Sequence, residues 1–480
     1  MPPKFTATYA SAGNNQRLRH DARLELSMIH HNMTEEQLQK EMRRLLEGAH
    51  SEELEILLQE LQPYDVASLF TELTDPLKEK LIAALDPIML TDLVEELDNE
   101  QQYEVFQRLG PARTVEIMDR MDNDDLAQFL GSLSEEDSFR FLSSMKQSES
   151  AAVRQLMNYP PETAGRIMNN RYVWIPQHYT VSEAIAKIRD FAEISEAISY
   201  LYVIDSNKKL LGVVSYRDLI LAMPEHKINE IMYTRVISVA VDTDQEKVAD
   251  VIRNYDFLAV PVVDHQDRLV GIVTVDDIID VVILEANEDI QKLSGSGRDI
   301  DFNTRASVAA FRRLPWLVLL LLIGLVSGSI ISQFEEVLGK VVALAYFMPM
   351  IAGMTGNTGT QSLAVVVRGL INNELTAREV LHLIRRELLV GLIIGLTCGI
   401  LVTLIAFIWQ GSLMLGLVVG LSLILTLIIG TMAGTIIPLL LNKFKVDPAV
   451  ASGPLITTLN DVLSLFIYFG IASIFLTYLL

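Results

Sequence analysis

Asp461 is the only charged residue between Ala449 and Leu480, in the run AVASGPLITTLNDVLSLFIYFGIASIFLTYLL. An ionised carboxylate at membrane depth costs on the order of 3 kcal/mol on insertion scales and more on others, so it faces protein or water rather than lipid. Such a residue points to an ion or proton pathway; an interhelical hydrogen bond from a protonated carboxyl is the simpler alternative. Asn460 precedes it, and Pro454 lies one to two turns earlier. A second apolar run carries PMIAGMTGNTGTQSLA from Pro349 to Ala364. Its small residues permit close helix approach, while Asn357, Thr358, Thr360 and Gln361 offer oxygens to an ion or its water shell. Tight helix packing alone explains the glycines, but less readily four polar side chains at that depth.

These residues need a membrane domain to position them. Apolar runs at about 314–333, 341–367, 388–409, 413–441 and 449–479 each reach the ~20 residues that span the hydrocarbon layer as a helix. Arg312 and Arg313 precede the first run; Arg368, Arg378, Arg385 and Arg386 fall between the second and third, and Lys443 and Lys445 between the fourth and fifth. The positive-inside rule then makes the N-terminal part and both basic connections cytoplasmic and puts the C-terminus outside. No signal peptide is read at the N-terminus. Counted from the start of the fifth run, Asp461 lies about 20 Å in, close to the midplane or slightly beyond it.

The formal net charge of −22 is uneven: residues 51–150 hold 24 Asp/Glu against 7 Lys/Arg. That excess argues against nucleic acid as a partner, since phosphate binding needs a basic surface, and it attracts polyvalent cations. A soluble acidic helical domain with no such role would have the same composition. Residues 52–160 show short helical units about ten to twelve residues apart, such as LQPYDVASLFTEL and LDPIMLTDLVEEL, begun by Pro or acidic residues. They predict an all-α superhelix. Cys398 is the single cysteine, so no intramolecular disulfide forms.

Residues 171–286 contain a repeat. LYVIDSNKKLLGVVSYRDLI (201–220) matches VPVVDHQDRLVGIVTVDDII (260–279), pairing Asp205 with Asp264, Gly212 with Gly271 and Asp218 with Asp277. Each copy reads helix, β-branched strand, polar turn, strand, helix, with four more residues between helix and strand in the first copy. The pattern resembles a CBS domain pair. That resemblance implies a regulatory module with an adenine-nucleotide cleft between the copies, a ribose-binding Asp218, and Arg217, Tyr200 and Phe257 as its neighbours. A purely structural pair is the alternative.

The parts in this order resemble the MgtE family of magnesium channels and transporters. The local marks are GNTGTQ (356–361), LEANEDIQKLSG (284–295) and VDPAVASGP…TTLND (446–461). The implied architecture is an unassigned extension (1–33), an acidic helical N domain (34–160), two CBS domains (161–226 and 227–286), a connecting plug helix (287–311) and a five-helix pore domain (312–480). The resemblance further implies a homodimer in the cell membrane with its pore between the two membrane domains, and Mg²⁺ as both substrate and regulator. Asp461 is then the pore carboxylate, with Asn357 and Asn460 beside it. Mg²⁺ sheds water reluctantly, so a pore with two facing carboxylates suits a largely hydrated ion.

By the same resemblance the soluble half senses Mg²⁺. Asp276, Asp277, Asp280, Glu285, Glu288 and Asp289 recur at spacings that place several on one helical face. Asp244, Glu246, Asp256 and Asp447 join them, with Asp119 and Asp122 as N-domain partners. Like charges about 4 Å apart repel by ~1 kcal/mol in water and ~4 kcal/mol at an effective dielectric of 20. Bound Mg²⁺ reverses that repulsion, compacts the soluble domains and holds the pore closed. Taken singly, each acid is more simply a solvated helix face. ATP at the CBS cleft is left open.

Three other classes compete with this reading. An intramembrane aspartyl protease needs two membrane carboxylates, and the apolar runs supply one; HExxH is absent, so no enzyme is expected. An anion channel needs cationic or amide sites where the runs have no Lys or Arg. An ion-coupled carrier or exporter of divalent cations such as Mg²⁺ or Co²⁺ is compatible with one carboxylate.

Overall fold

The computed structural model describes residues 34–48, 51–191, 200–295, 300, 304–371 and 376–480. The extension 1–33 and the stretch 192–199, where the first repeat copy is longer, lie outside the described residues. Two compact units divide the chain, one ending at Val282 and the other beginning at Ile283.

Among its described residues the first unit begins with ten short helices, α1 (Glu35–Glu47) to α10 (Gln147–Met157). Their starts are written in the sequence. Pro63, Pro87 and Pro111 each occupy the first turn of a helix, where no N–H partner is needed. Asp86 accepts from the backbone N–H of Ile88 and Met89, and Asp98 from that of Gln101. The three prolines recur every second helix. Accordingly α3 (Pro63–Thr71) packs on α5 (Pro87–Glu95), and α5 on α7 (Pro111–Met118), as in a superhelix. Inside run Phe70, Leu81, Leu90, Leu93 and Phe129, all fully buried, each contributing about 1.5–3 kcal/mol of apolar transfer.

Two three-stranded sheets follow, β1 (Trp174–Pro176), β2 (Tyr200–Ile204) and β3 (Leu210–Ser215), then β4 (Val239–Ala240), β5 (Ala259–Val263) and β6 (Leu269–Thr274). In each sheet the first strand pairs parallel to the second and the second antiparallel to the third. The short leading strands β1 and β4 were not expected from the repeat. Each copy's lead-in segment crosses to the other copy: Asn169 pairs with Ile272, and Tyr233 with Val213. This explains the matched glycines. A Cβ on Gly212 would stand 3.0 Å from Tyr233 O, and one on Gly271 3.0 Å from Asn169 O. Helix α15 (Gln245–Tyr255) belongs to the second copy, and α16 (Val275–Ser294) follows β6 directly.

The connecting helix therefore does not begin at 287. It is the continuation of α16, which ends at Ser294 and Gly295 (φ +71°). The rest of 287–311 divides between 296–299 and 301–303, outside the described residues, and the start of α17 (Ala306–Gln333).

The second unit is built from α17, α19 (Ala343–Ile371), α20 (Ala377–Gln410), α21 (Leu413–Lys443) and α22 (Gly453–Ile474). Among the described residues, α17, α20, α21 and α22 are long and apolar enough to cross a membrane. Helix α19 has 29 residues, about 43 Å, but its centre is the Gly/Thr/Asn/Gln segment. Helices α17 and α20 begin eight and eleven residues before their apolar runs, so Arg312, Arg313, Arg378, Arg385 and Arg386 lie on helix. Helix α21 is central, packing on α19, α20 and α22. Its buried Ser422, Thr431 and Thr435 hydroxyls donate to carbonyls one turn back in the same helix at 2.7–2.9 Å, leaving a small, satisfied surface for close approach.

Candidate functional site

Helices α19 and α22 lie against each other in antiparallel register. A Cβ on Gly356 would stand 2.8 Å from Thr457, and one on Gly453 3.3 Å from Thr360. Between these contacts Gly359 faces Asn460 so closely that a Cβ there would collide with the amide. Asn460 is fully buried; its Nδ2 donates to Thr355 O at 3.4 Å and its Oδ1 has no partner. This residue, expected as a pore ligand, is clamped inside the junction of α19 and α22. Asp461, one residue on, is half-buried, and Asn357 is exposed.

The depth of Asp461 also differs from expectation. Pro448–Val450 forms a 3₁₀ turn, Ser452 Oγ accepts from Leu455 N, and Pro454 sits in the first turn, so α22 starts at Gly453. Asp461 lies eight residues from that end, about 12 Å, in the first half of the helix.

The acidic residues of α16 split into two groups about 18 Å apart along the helix. In the first unit, Asp276, Asp277 and Asp280 at its start share a field with Asp122, Asp124 and Asp125 at the start of α8 (Asn123–Ser132). Thr274 Oγ1 donates to Asp277, fixing that carboxylate. Burial, then the charges of Asp277, Asp122, Asp280 and Asp276, push Asp125 up to about 7. Burial pushes Asp277 to about 6 against its Thr274 hydrogen bond, with Asp276 and Asp122 adding to the rise. Glu95, which accepts from Asp122 N at 2.9 Å, is pushed by burial to about 8. Asp124 is raised well above the carboxylate range, first by burial, then by Asp277; its buried Oδ1 has no partner. Asp122 thus stands in this acidic group, while Asp119 makes an ion pair with Lys146 at 3.1 Å.

In the second unit, Glu288 and Asp447 both pair with Lys292, at 2.6 and 2.7 Å. Burial and then the charge of Asp447 raise Asp289, and Glu285 and Glu288 add to the rise. Asp244 and Asp256 do not converge. Asp244 caps the start of α15, accepting from Glu246 N at 2.9 Å, and Asp256 ends that helix at φ +52°, about 18 Å away. Among the described residues no three carboxylates stand close enough to hold a metal ion as placed.

The four residues expected around a nucleotide do come together. Tyr200, Arg217, Asp218 and Phe257 line one cavity of about 630 Å³ with Tyr202, Tyr233 and Arg235. Ser215 Oγ donates to Asp218 Oδ2, orienting the carboxylate at the start of its helix.

Four acids escaped the sequence reading. Glu95, Asp124 and Asp125 look like ordinary acidic helix starts; the run MDNDD, with no basic residue to balance it, was the available signal. Glu387 reads as a loop charge beside Arg385 and Arg386, yet it is 4 % exposed. Its clue was the four-residue spacing to Gly391, Gly395 and Gly399.

Comparisons with known proteins agree with this layout. The MgtE divalent cation transporter model matches residues 348–471, the MgtE intracellular N domain model 61–162, and the CBS domain model 164–225 and 228–284. The chain is 56 % identical over 445 residues to the magnesium transporter MgtE of Bacillus subtilis, covering 93 % of this chain and 99 % of that protein. It is 40 % identical over 328 residues to the magnesium transporter MgtE of Thermus thermophilus, covering 68 % and 73 %. The crystal structure of the soluble part of a magnesium transporter is similar at a TM-score of 0.51 and 35 % identity, over 53 % of this chain and all of that one.

Proposed function

This chain belongs to the MgtE family of divalent cation transporters, a multi-pass membrane family, and on that premise we propose that it mediates Mg²⁺ uptake through a pore closed by cytosolic Mg²⁺. The observation that carries the reading is Asp461, half-buried on α22, with the exposed Asn357 on the helix α19 that packs against it. A carboxylate and an amide on packed helices, both short of full burial, suit a cation that keeps most of its water. A second copy of the chain supplies the facing carboxylate. The basic helix starts and the first unit lie on the cytoplasmic side, and the C-terminus lies outside.

Closure is driven by the acidic groups. Asp122, Asp124 and Asp125 face Asp276, Asp277 and Asp280, with raised proton affinity at Asp124, Asp125 and Asp277 and an orphaned buried oxygen at Asp124, an arrangement a divalent cation would relieve. Mg²⁺ binds the compact state better and shifts the population toward it. Adenine nucleotide, ATP among them, fits the cavity beside Asp218 and tunes the same domains.

Mg²⁺ flux into proteoliposomes tests this, with native chain and Asp461→Ala compared as Mg²⁺ on the cytoplasmic face is varied. Native flux should fall as that Mg²⁺ rises, and the variant should conduct at least tenfold less, about 1.4 kcal/mol or more. Normal conduction by the variant would make Asp461 a packing residue. Flux that required a Na⁺ or H⁺ gradient would replace the channel by a coupled carrier.

A further inference from the structure

Lys292 stands near the end of α16, and its ammonium bridges two parts of the chain: Glu288 Oε1 on its own helix at 2.6 Å and Asp447 Oδ2 ahead of α22 at 2.7 Å. The other oxygen of Asp447 accepts from Ala449 N at 2.8 Å, so the turn holds this carboxylate in place. The next residue, Leu293, packs on Leu363 and Val367 of α19 and on Ala449, Ala451 and Ile456. Its carbonyl lies 3.6 Å from where a Cβ on Gly453 would stand. The end of α16 is therefore seated on the ends of α19 and α22, with the lysine clamping an acidic rim.

Glu288, Asp289 and Asp447 carry the hard oxygen donors that Mg²⁺ takes, although as placed the three do not stand close enough to hold the ion together. Two of the three already hold an ammonium, however. Burial works against the charge on Lys292, yet its hydrogen bonds to Asp447 and Glu288 hold its pKa well above the usual value. A divalent cation can take these carboxylates only by displacing the lysine.

We propose that Lys292 is an internal counter-cation, seating α16 on the membrane domain when Mg²⁺ is absent and competing with Mg²⁺ for Glu288 and Asp447. The proposal rests on the regulatory reading above. Without the lysine, the unliganded seat is weaker, while the Mg²⁺-bound seat is unchanged, because there the lysine is already displaced. The variant's response to Mg²⁺ is therefore wider than the native one.

Amide hydrogen exchange on the intact chain reads the seat directly, over residues 288–294 and 449–452. In Mg²⁺-free buffer, Lys292→Met should exchange about three- to fivefold faster there than the native chain, the size of one partly exposed ion pair. Saturating Mg²⁺ should bring it back to the native rate, and Lys292→Arg should stay near native throughout. Glu288→Gln, which removes one arm and leaves Leu293 untouched, should shift exchange less and in the same direction. Equal exchange of Lys292→Met and native chain without Mg²⁺ overturns the lysine's role alone. A native chain whose exchange ignores Mg²⁺ overturns the competition together with the regulatory reading.

Discussion

Ser362 Oγ donates to Glu387 Oε2 at 3.0 Å, tying α19 to α20 through a carboxylate that is almost fully buried. Arg386 donates to the other oxygen at 2.8 and 3.2 Å, so both oxygens are satisfied. Ser362 directly follows the polar segment of α19. Glu387 heads the stripe Gly391, Gly395, Gly399, along which α20 approaches Thr431, Ile424 and Gly420 of α21. One carboxylate thus sits where α19, α20 and α21 are brought into register.

Glu387→Ala should accordingly leave Ser362 and Arg386 without their acceptor and cost about 1.5–3 kcal/mol, the scale of hydrogen bonds to a charged group, since the half-exposed Arg386 leaves no buried charge behind. Glu387→Gln retains an acceptor for Ser362 and should lose less. Thermal unfolding in detergent and Mg²⁺ flux, measured together, check this. Equal losses in the two variants would mean that the charge, not the hydrogen bond, holds the corner.

Gly359→Ala should be more damaging than its one methyl suggests. The added Cβ meets the Asn460 amide, stands 3.0 Å from Ile456 and 3.1 Å from Gly430 O, and two of these neighbours are backbone or tightly held side chain. Overpacking of that kind costs about 1–3 kcal/mol. Gly353→Ala on the same helix has open space within 4 Å and should be silent. A melting series of the two variants would decide it; equal stability would mean that α19 and α22 are free to move apart.

Local chemistry made most of the architecture legible. Proline and aspartate starts marked the N-domain helices, β-branched runs marked the strands of the repeat, and long apolar runs marked the membrane helices. Rotation about a helix axis was not legible. Asn460 and Asp461 are neighbours in sequence, yet a turn of about 100° puts one in a closed junction and leaves the other half-open, and only the packing of α19 decides which. For the same reason a list of acids on α16 read as one set, although the rise per residue separates it into two. The cavity residues were legible only through the resemblance to a CBS pair, since they come from the start of β2, the helix that follows β3 and the segment ahead of β5.

The acidic group around α8 gives the first unit a pH dependence of definite sign. Glu95, Asp125 and Asp277 have folded pKa values of about 8, 7 and 6, above the ordinary carboxylate range. The folded state therefore binds more protons than the unfolded one between about pH 4 and 8, and stability falls as pH rises through that window. Without Mg²⁺, the melting temperature of the intact chain should drop from about pH 5 to about pH 8. Millimolar Mg²⁺ should flatten the slope by replacing the protons. A slope of the opposite sign would show that these carboxylates are paired with cations rather than with each other.

The two repeat copies carry one turn with two uses, and this allows a double separation. Ser215 with Asp218 and Thr274 with Asp277 are the same cap at matched positions, each hydroxyl donating to the aspartate three residues on. Asp218 opens onto the cavity with Tyr200, Arg217 and Phe257, whereas Asp277 faces Asp122, Asp124 and Asp125. Asp218→Ala should weaken ATP binding about tenfold, on the scale of one hydrogen bond to a charged group, and leave the pH slope of melting intact. Asp277→Asn keeps the cap and removes a charge, so it should shallow that slope and lower the Mg²⁺ needed to compact the domains. ATP affinity in this second variant should be native. Calorimetry with ATP and a pH series of melting curves on both variants settle the matter: if either substitution moves both readouts equally, the two copies act as one coupled site.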